Sequence, residues 1–211
     1  MKKPERTREQ VSTRRRGDDL IRSIHAAVLA ELVEVGLGRL GMEGIAKRAG
    51  TAKTSLYRRW ASPHDVLLDA IQHEHPQELP SPSADDLRGD LIRALRQLVE
   101  WSRSPTAAAV GAIMAERRRY PELAKALYER VFDARGSRFT LTVLCYYAAR
   151  GQIDPERITP VVADIGEALV FKHALDTDAV PDEVRLAAIV DQAILPAIGL
   201  DPRRAERSAG R

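Results

Sequence analysis

Gly44-Ile-Ala-Lys-Arg-Ala-Gly-Thr-Ala-Lys-Thr-Ser-Leu-Tyr-Arg-Arg-Trp60 is the stretch whose reading decides the fold. The spacing predicts a short helix over 42–49 that buries Ile45, Ala46 and Ala49. Gly50 then breaks the chain, and a further helix is expected over 52–60. Plotted at about 100° per residue, Ala52, Leu56 and Trp60 fall on one stripe of that second helix, and Lys53, Thr54, Tyr57 and Arg58 on the opposite one. One face is made for packing and the other is a row of hydrogen-bonding tips. Two short helices therefore meet at a glycine turn, the second with a polar outer face.

Working outward, Ile21, Ile24, Val28, Leu32 and Val35 recur at intervals of three and four, the stripe of a first amphipathic helix over about 18–35, with Gly36 as an αL C-cap. Residues 1–17 are polar and basic and are expected to form a mobile arm. Downstream, Ser62-Pro63 reads as an N-cap with proline at the first helical position, opening a fourth helix through Val66, Leu67, Ala70 and Ile71. Residues 75–84 hold three prolines and two serines without periodicity, which marks a linker. Beyond it helices are predicted over 87–102, 106–119, 121–150 with a kink at Gly136, 156–175 and 182–198, nine in all. The arginine-bearing tail over 201–211 is expected to be disordered.

The chain is therefore expected to be all-α. A mobile arm occupies 1–17, a first helical domain with its connecting helix 18–75, and a larger helical domain 85–200. Charge divides the same way. Over 211 residues the net charge is only +3, yet residues 1–60 carry 14 basic against 7 acidic side chains, and residues 61–200 carry 15 against 21. The longest apolar run, 107–115, is far short of the roughly 20 residues that span a bilayer, and the basic N-terminus lacks the apolar core of a secretory signal. The single cysteine, Cys145, cannot close an intrachain bridge, and beside Leu144 and Tyr146 it is expected to be buried. A cytoplasmic protein without membrane contact is expected.

Catalytic and cofactor motifs fail in context. Gly36, Gly38 and Gly41 match G-x-G-x-x-G, but Leu32 and Val35 belong to a helical stripe and no strand precedes the glycines, so dinucleotide binding is not expected. His73 and His75, two residues apart, do not share a helix face and have no third ligand nearby, so no metal site is expected. No nucleophile triad or phosphate loop is present. The reading is a non-enzyme without cofactor.

The polar helix face in the basic segment fits double-stranded DNA. A helix enters the major groove, about 12 Å wide, when its outer face carries donors and acceptors and its flanks carry positive charge. Lys53, Thr54, Tyr57 and Arg58 supply the face. Arg59 and the arm residues Arg14, Arg15 and Arg16 supply attraction to phosphate. Of ten aromatic residues only Tyr57 and Trp60 lie in the first hundred positions, and both lie in this stretch.

The Ile-Ala pair at 45 and 46, the Ala-Gly turn at 49 and 50 and the Leu-Tyr-x-x-Trp run at 56–60, followed by Ser62 and an apolar helix, resemble the DNA-binding module of tetracycline-repressor-like (TetR family) transcriptional regulators over about 20–71. The resemblance implies a homodimer on a palindromic operator, repression, and a C-terminal helical domain whose small-molecule effector releases DNA. It places DNA contacts at Lys53, Thr54, Ser55, Tyr57, Arg58 and Arg59. Three positions depart from the pattern. Gly41 stands where a threonine commonly caps the second helix, Ala52 where a serine caps the third, leaving Thr51 as the expected cap, and Pro63 where a phosphate-binding lysine is usual. The free amides at Ser62 and His64 could still hold a phosphate.

The C-terminal region carries no equally specific motif. Trp101, Tyr128, Phe132 and His173 are the expected pocket wall, and its acidity points to an apolar effector, neutral or cationic. The last two helices carry small residues, Ala163, Gly166 and Ala193, among Ile165, Leu169, Ile189 and Ile194, a pattern suited to a four-helix dimer interface. Two alternatives remain from the sequence: a constitutive DNA-binding protein without effector, and a helical enzyme, which a carboxylate and histidine cluster in the larger domain would favour.

Overall fold

The computed structural model describes residues 6–76, 78–132 and 139–201, of which 6–16 are described by backbone alone. All regular elements among them are helical. In order they are α1 (Arg6–Val35), a 3-10 turn (Leu37–Arg39), α2 (Met42–Arg48), α3 (Lys53–Tyr57), α4 (Pro63–Glu74), α5 (Leu87–Ser102), α6 (Pro105–Ala115) and α7 (Pro121–Leu127). A π turn (Tyr128–Phe132), α8 (Phe139–Ala148), a 3-10 turn (Pro155–Arg157), α9 (Pro160–Thr177), α10 (Glu183–Ile189), a second π turn (Val190–Ile194) and α11 (Leu195–Ala197) complete it.

The chain folds as two compact units, 1–74 with 105–127, and 75–104 with 128–211. The first is built on the predicted stripe: Ile24, Val28 and Leu32 of α1 are buried together with Ile45 and Ala46, Leu56, and Val66, Leu67 and Ile71 of α4. Gly36 and Gly50 hold positive φ, at 73° and 64°, where a side chain would be strained. Gly36 pairs that φ with an extended ψ of 167°, so it turns the chain without forming the expected αL cap. In place of a mobile arm over 1–17, α1 begins at Arg6, since glutamine, glutamate and arginine are good helix formers and Gly17 costs only about 1 kcal/mol.

The second unit closes around Leu91, Leu95 and Leu98 of α5, Val143, Leu144 and Tyr147 of α8, Val170 of α9, and Ile189, Val190, Ile194 and Leu195 of the last helical run. The stretch after α4 is tied down. The buried Asp90 carboxylate accepts from the Ser81 amide at 2.6 Å and from Tyr147 Oη at 2.6 Å, and Arg88 pairs with Asp191 through two bonds of 2.7 and 2.8 Å. Cys145 is exposed, contrary to expectation, because Leu144 and Tyr147 take the inward positions of α8. Of the helix expected over 121–150, the described residues form α7, a π turn and α8; residues 133–138, with the kink expected at Gly136, lie outside the described residues, as do the expected tail's residues 202–211.

Candidate nucleic-acid interface

The predicted recognition helix is shorter than expected. α3 covers Lys53–Tyr57, and Arg58 to Trp60 follow in a turn that keeps helix-like bonds, Arg58 N to Thr54 O at 3.3 Å and Trp60 N to Leu56 O at 3.0 Å. Leu56 and Trp60 are buried, whereas Ala52, assigned to the same stripe, is exposed, because it stands before the helix as its N-cap. No side chain caps α3, so Thr51 does not replace the missing serine, and Gly41 likewise caps α2 through backbone alone. Ser62 does cap α4: the Asp65 amide donates to Ser62 Oγ at 3.1 Å, and Ser62 Oγ donates to Asp65 Oδ2 at 2.8 Å.

Lys53, Thr54, Tyr57, Arg58 and Arg59 are exposed together, and Ser55 is half-buried. Lys53 Nζ lies 5.9 Å from the centre of the Tyr57 ring. The structure thus leaves one short helix and its C-terminal turn with three cations, a hydroxyl and a phenol on the surface, anchored from behind by Leu56 and Trp60. Arg14, Arg15 and Arg16 lie on the N-terminal extension of α1, where only the backbone is described.

Asp69, a residue that sequence reasoning missed, holds this element in place. The Trp60 indole donates to Asp69 Oδ2 at 3.1 Å, and the Nε2 of the buried His25 ring donates to the same oxygen at 3.0 Å, joining α1, α4 and the end of the recognition segment. The bond from His25 holds the Asp69 carboxyl below its ordinary value, against the effect of burial. Nothing local in the sequence marks Asp69, because its partners lie 44 and 9 positions away. Arg48 joins α2 to α1 through Glu31, at 3.1 Å, and Glu34.

Two N–H groups would lose their acceptor in Asp69→Ala, so chemical denaturation should show a loss of about 1 to 3 kcal/mol, and less for Asp69→Asn. The sign with pH follows from the lowered carboxyl. Its contribution is present above the ordinary aspartate value of 3.8 and is lost as the pH falls through the lower folded value. The gap between wild type and Asp69→Asn should be full near pH 6 and shrink below about pH 4. A gap that stays constant down to about pH 3 would contradict this role.

The segment 105–127, expected in the larger domain, is part of the first unit. The His64 and Tyr120 rings meet edge to face at 5.7 Å, and the Arg119 guanidinium lies 5.5 Å from the Tyr120 ring centre. Its apolar spacing gave no sign of which helices it would meet.

Within the second unit three of the four expected pocket residues come together around a residue that was not expected there. The buried His75 ring lies 5.0 Å from Trp101 and 5.4 Å from Phe132, which lies 5.4 Å from Tyr128. His173, on α9, is not among the rings that meet here. Of the residues assigned to the dimer interface, Gly166, Ile189 and Ile194 are buried within the chain's own core, with Ile165, Leu169 and Ala193 half-buried. A side chain at Gly166 would collide with Thr140 and Leu95, so its smallness serves internal packing. No group of three metal-ligating side chains, and no helix long and apolar enough to cross a membrane, occurs among the described residues.

Residues 24–70 match the family description "Bacterial regulatory proteins, tetR family", and residues 81–193 match "Tetracyclin repressor-like, C-terminal domain". An uncharacterised HTH-type transcriptional regulator of Mycobacterium tuberculosis is 28% identical over 173 residues, 82% of this chain and 85% of that protein. The DNA-binding transcriptional repressor TetR of Mycobacteroides abscessus is 23% identical over 181 residues, 85% of this chain and 94% of that protein. The crystal structure of a TetR family transcription regulator superposes with a TM-score of 0.61 at 25% identity, covering 83% of this chain and 97% of that one. A regulator from Mesorhizobium loti, at 18% identity and a TM-score of 0.56, covering 84% of this chain and 94% of that one, shares the fold.

Proposed function

This chain belongs to the tetracycline-repressor (TetR) family of helix-turn-helix transcriptional regulators, and from that premise we propose that it is a ligand-responsive repressor. It binds a palindromic operator as a homodimer and leaves it when a small effector binds. The observation that carries this reading is the exposed row of Lys53, Thr54, Tyr57, Arg58 and Arg59 on a helix fixed by Leu56, Trp60 and Asp69. Base edges are read by side chains on such a helix, and phosphates hold it in register. The protein acts in the cytoplasm, where the DNA is, and works by binding rather than catalysis.

The dimer face moves to where apolar surface is left uncovered. On α9, Val161, Ala168 and Leu175 are exposed at intervals of seven, with Phe171 beside them, and Val184 is exposed on α10. Val161, Leu175 and Val184 are 75, 84 and 78% exposed, values that a large aliphatic side chain reaches in a monomer at a loss of burial energy. A seven-residue apolar repeat on one helix suits a seam with a second copy related by a two-fold axis.

The effector belongs with the aromatic layer of the second unit. Connectivity supports this: His75 directly follows Glu74, Trp101 lies just before Pro105, and Tyr128 directly follows Leu127. Each place where the chain passes from one unit to the other is thus flanked by a member of the layer. Binding there can act on all three connections, and by linkage the operator must weaken the ligand as much as the ligand weakens the operator.

The N-terminal arginines have a separate test. Replacing Arg14, Arg15 and Arg16 by alanine should weaken binding to every DNA sequence alike and flatten the slope of log affinity against log salt by up to about three units per protomer. Fluorescence anisotropy with operator and scrambled duplexes reads both quantities. An unchanged slope would show that these arginines do not meet phosphate.

A further inference from the structure

We propose that the aromatic layer of the second unit takes a small apolar molecule bearing a cationic or neutral hydrogen-bond donor, received by the side-chain oxygens of Glu78 and Gln97. This rests on the effector reading above and names its ligand chemistry. Glu78 is 9% exposed, and its Oε1 accepts no hydrogen bond among the described residues. Gln97 Oε1 is a second buried acceptor in the same condition. Buried polar atoms are nearly always paired, so two unpaired acceptors within the same compact unit point to a donor that arrives from outside.

Their placement joins them to the rings. Gln97 stands one helical turn before Trp101 on α5, so the two share a face. Glu78 follows His75 by three residues and accepts from Thr142, which lies one turn beyond Phe139 on α8; Phe139 is 5.9 Å from the His75 ring. An acceptor on or against the elements that carry Trp101 and Phe139 fits an ammonium or amino group attached to an apolar body, since ring faces attract cations. A second carboxylate, Glu167, is held on α8 by the Thr140 amide at 3.0 Å and the Thr140 hydroxyl at 2.8 Å, and its field acts on Glu78. Burial pushes both carboxyls above the ordinary range, with Glu167 raising Glu78 further, so a positive charge brought close to them favours their ionised forms and an anion disfavours them.

The test uses the full chain and three naphthalenes of one shape: naphthylmethylamine as cation, naphthylmethanol as neutral donor and naphthoate as anion, each titrated calorimetrically. The amine should bind at least about tenfold more tightly than naphthoate, with the alcohol between. Glu78→Gln should weaken the amine about tenfold and the alcohol less than about threefold, and Gln97→Leu should weaken both. Circular dichroism checks that each variant is folded, and either variant alone decides the matter. The proposal is overturned if naphthoate binds as well as the amine, if none of the three binds, or if the amine is indifferent to both substitutions. Operator affinity with and without the amine separates this from the reading it rests on. Glu78-dependent binding that leaves operator affinity unchanged would overturn release by an effector and keep the site. Operator release by naphthoate, or by amine bound regardless of Glu78 and Gln97, would do the reverse.

Discussion

A chain in which Leu175 and Val184 are both replaced by arginine should sediment as a monomer at micromolar concentration and lose roughly a hundred- to ten-thousand-fold in operator affinity. Both side chains stand almost fully in water in the single chain, so neither substitution disturbs a core. In a two-fold dimer each change occurs twice, and four arginines would face one another across an apolar seam, with like charges repelling in a drying interface. The affinity follows because a monomer holds one half-site only, and the second half-site is then no longer bound at the high effective concentration that linkage provides. Ile194→Arg is a poorer test, since Ile194 is buried inside the chain and its replacement would unfold the unit rather than separate two of them. A double variant that remains dimeric, or a wild-type chain that is monomeric, would remove this face from the account.

The second large effect concerns the recognition segment. Arg58→Ala should cost about 1 to 3 kcal/mol in operator binding, a loss of roughly five- to more than a hundredfold, and should relax the sequence preference at one position of each half-site. Arg58 is exposed, so the same substitution should change the unfolding free energy by no more than about 0.5 kcal/mol. Measured together, the two numbers separate a contact to DNA from a contribution to the fold. If Arg58→Ala weakens scrambled duplexes as much as the operator, Arg58 meets phosphate and not a base edge. If it weakens neither, it leaves the interface altogether.

The DNA-binding unit was legible because its helices are amphipathic and its turns lie at glycines. The stripe from Ile24 to Leu32, the break at Gly50 and the cap at Ser62 all stand where the spacing put them. Ends were less legible. α1 has no apolar period before residue 18, yet its backbone continues helical to Arg6, and α3 stops at Tyr57 although Arg58 and Arg59 are ordinary helix formers. Long-range relations were the least legible. Asp69 could not be singled out, because its value lies in receiving His25 and Trp60 on one oxygen.

Small residues misled for a physical reason. A glycine between apolar positions signals that something approaches closely, but not whether the neighbour belongs to the same chain, and at Gly166 it is Thr140 and Leu95. Val161 belongs to the apolar stripe read on the same helix, yet it and Leu175 face outward, because an apolar period marks a face to be covered without saying what covers it. Cys145 was misplaced similarly: adjacent apolar residues on a helix are about 100° apart, so Leu144 inward does not carry Cys145 with it. Of the rings expected to wall a pocket, Trp101 and Phe132 meet His75 and Tyr128 meets Phe132; His75 itself lies in a stretch whose prolines read only as a linker.

Selection of bound duplexes from a random pool by the full chain tests the central claim most directly. The account predicts enrichment of an inverted repeat whose half-site centres lie about 34 Å apart, or a multiple of that distance, on one face of the duplex. Recovery of no preferred sequence, or of a single site without two-fold symmetry, would contradict it.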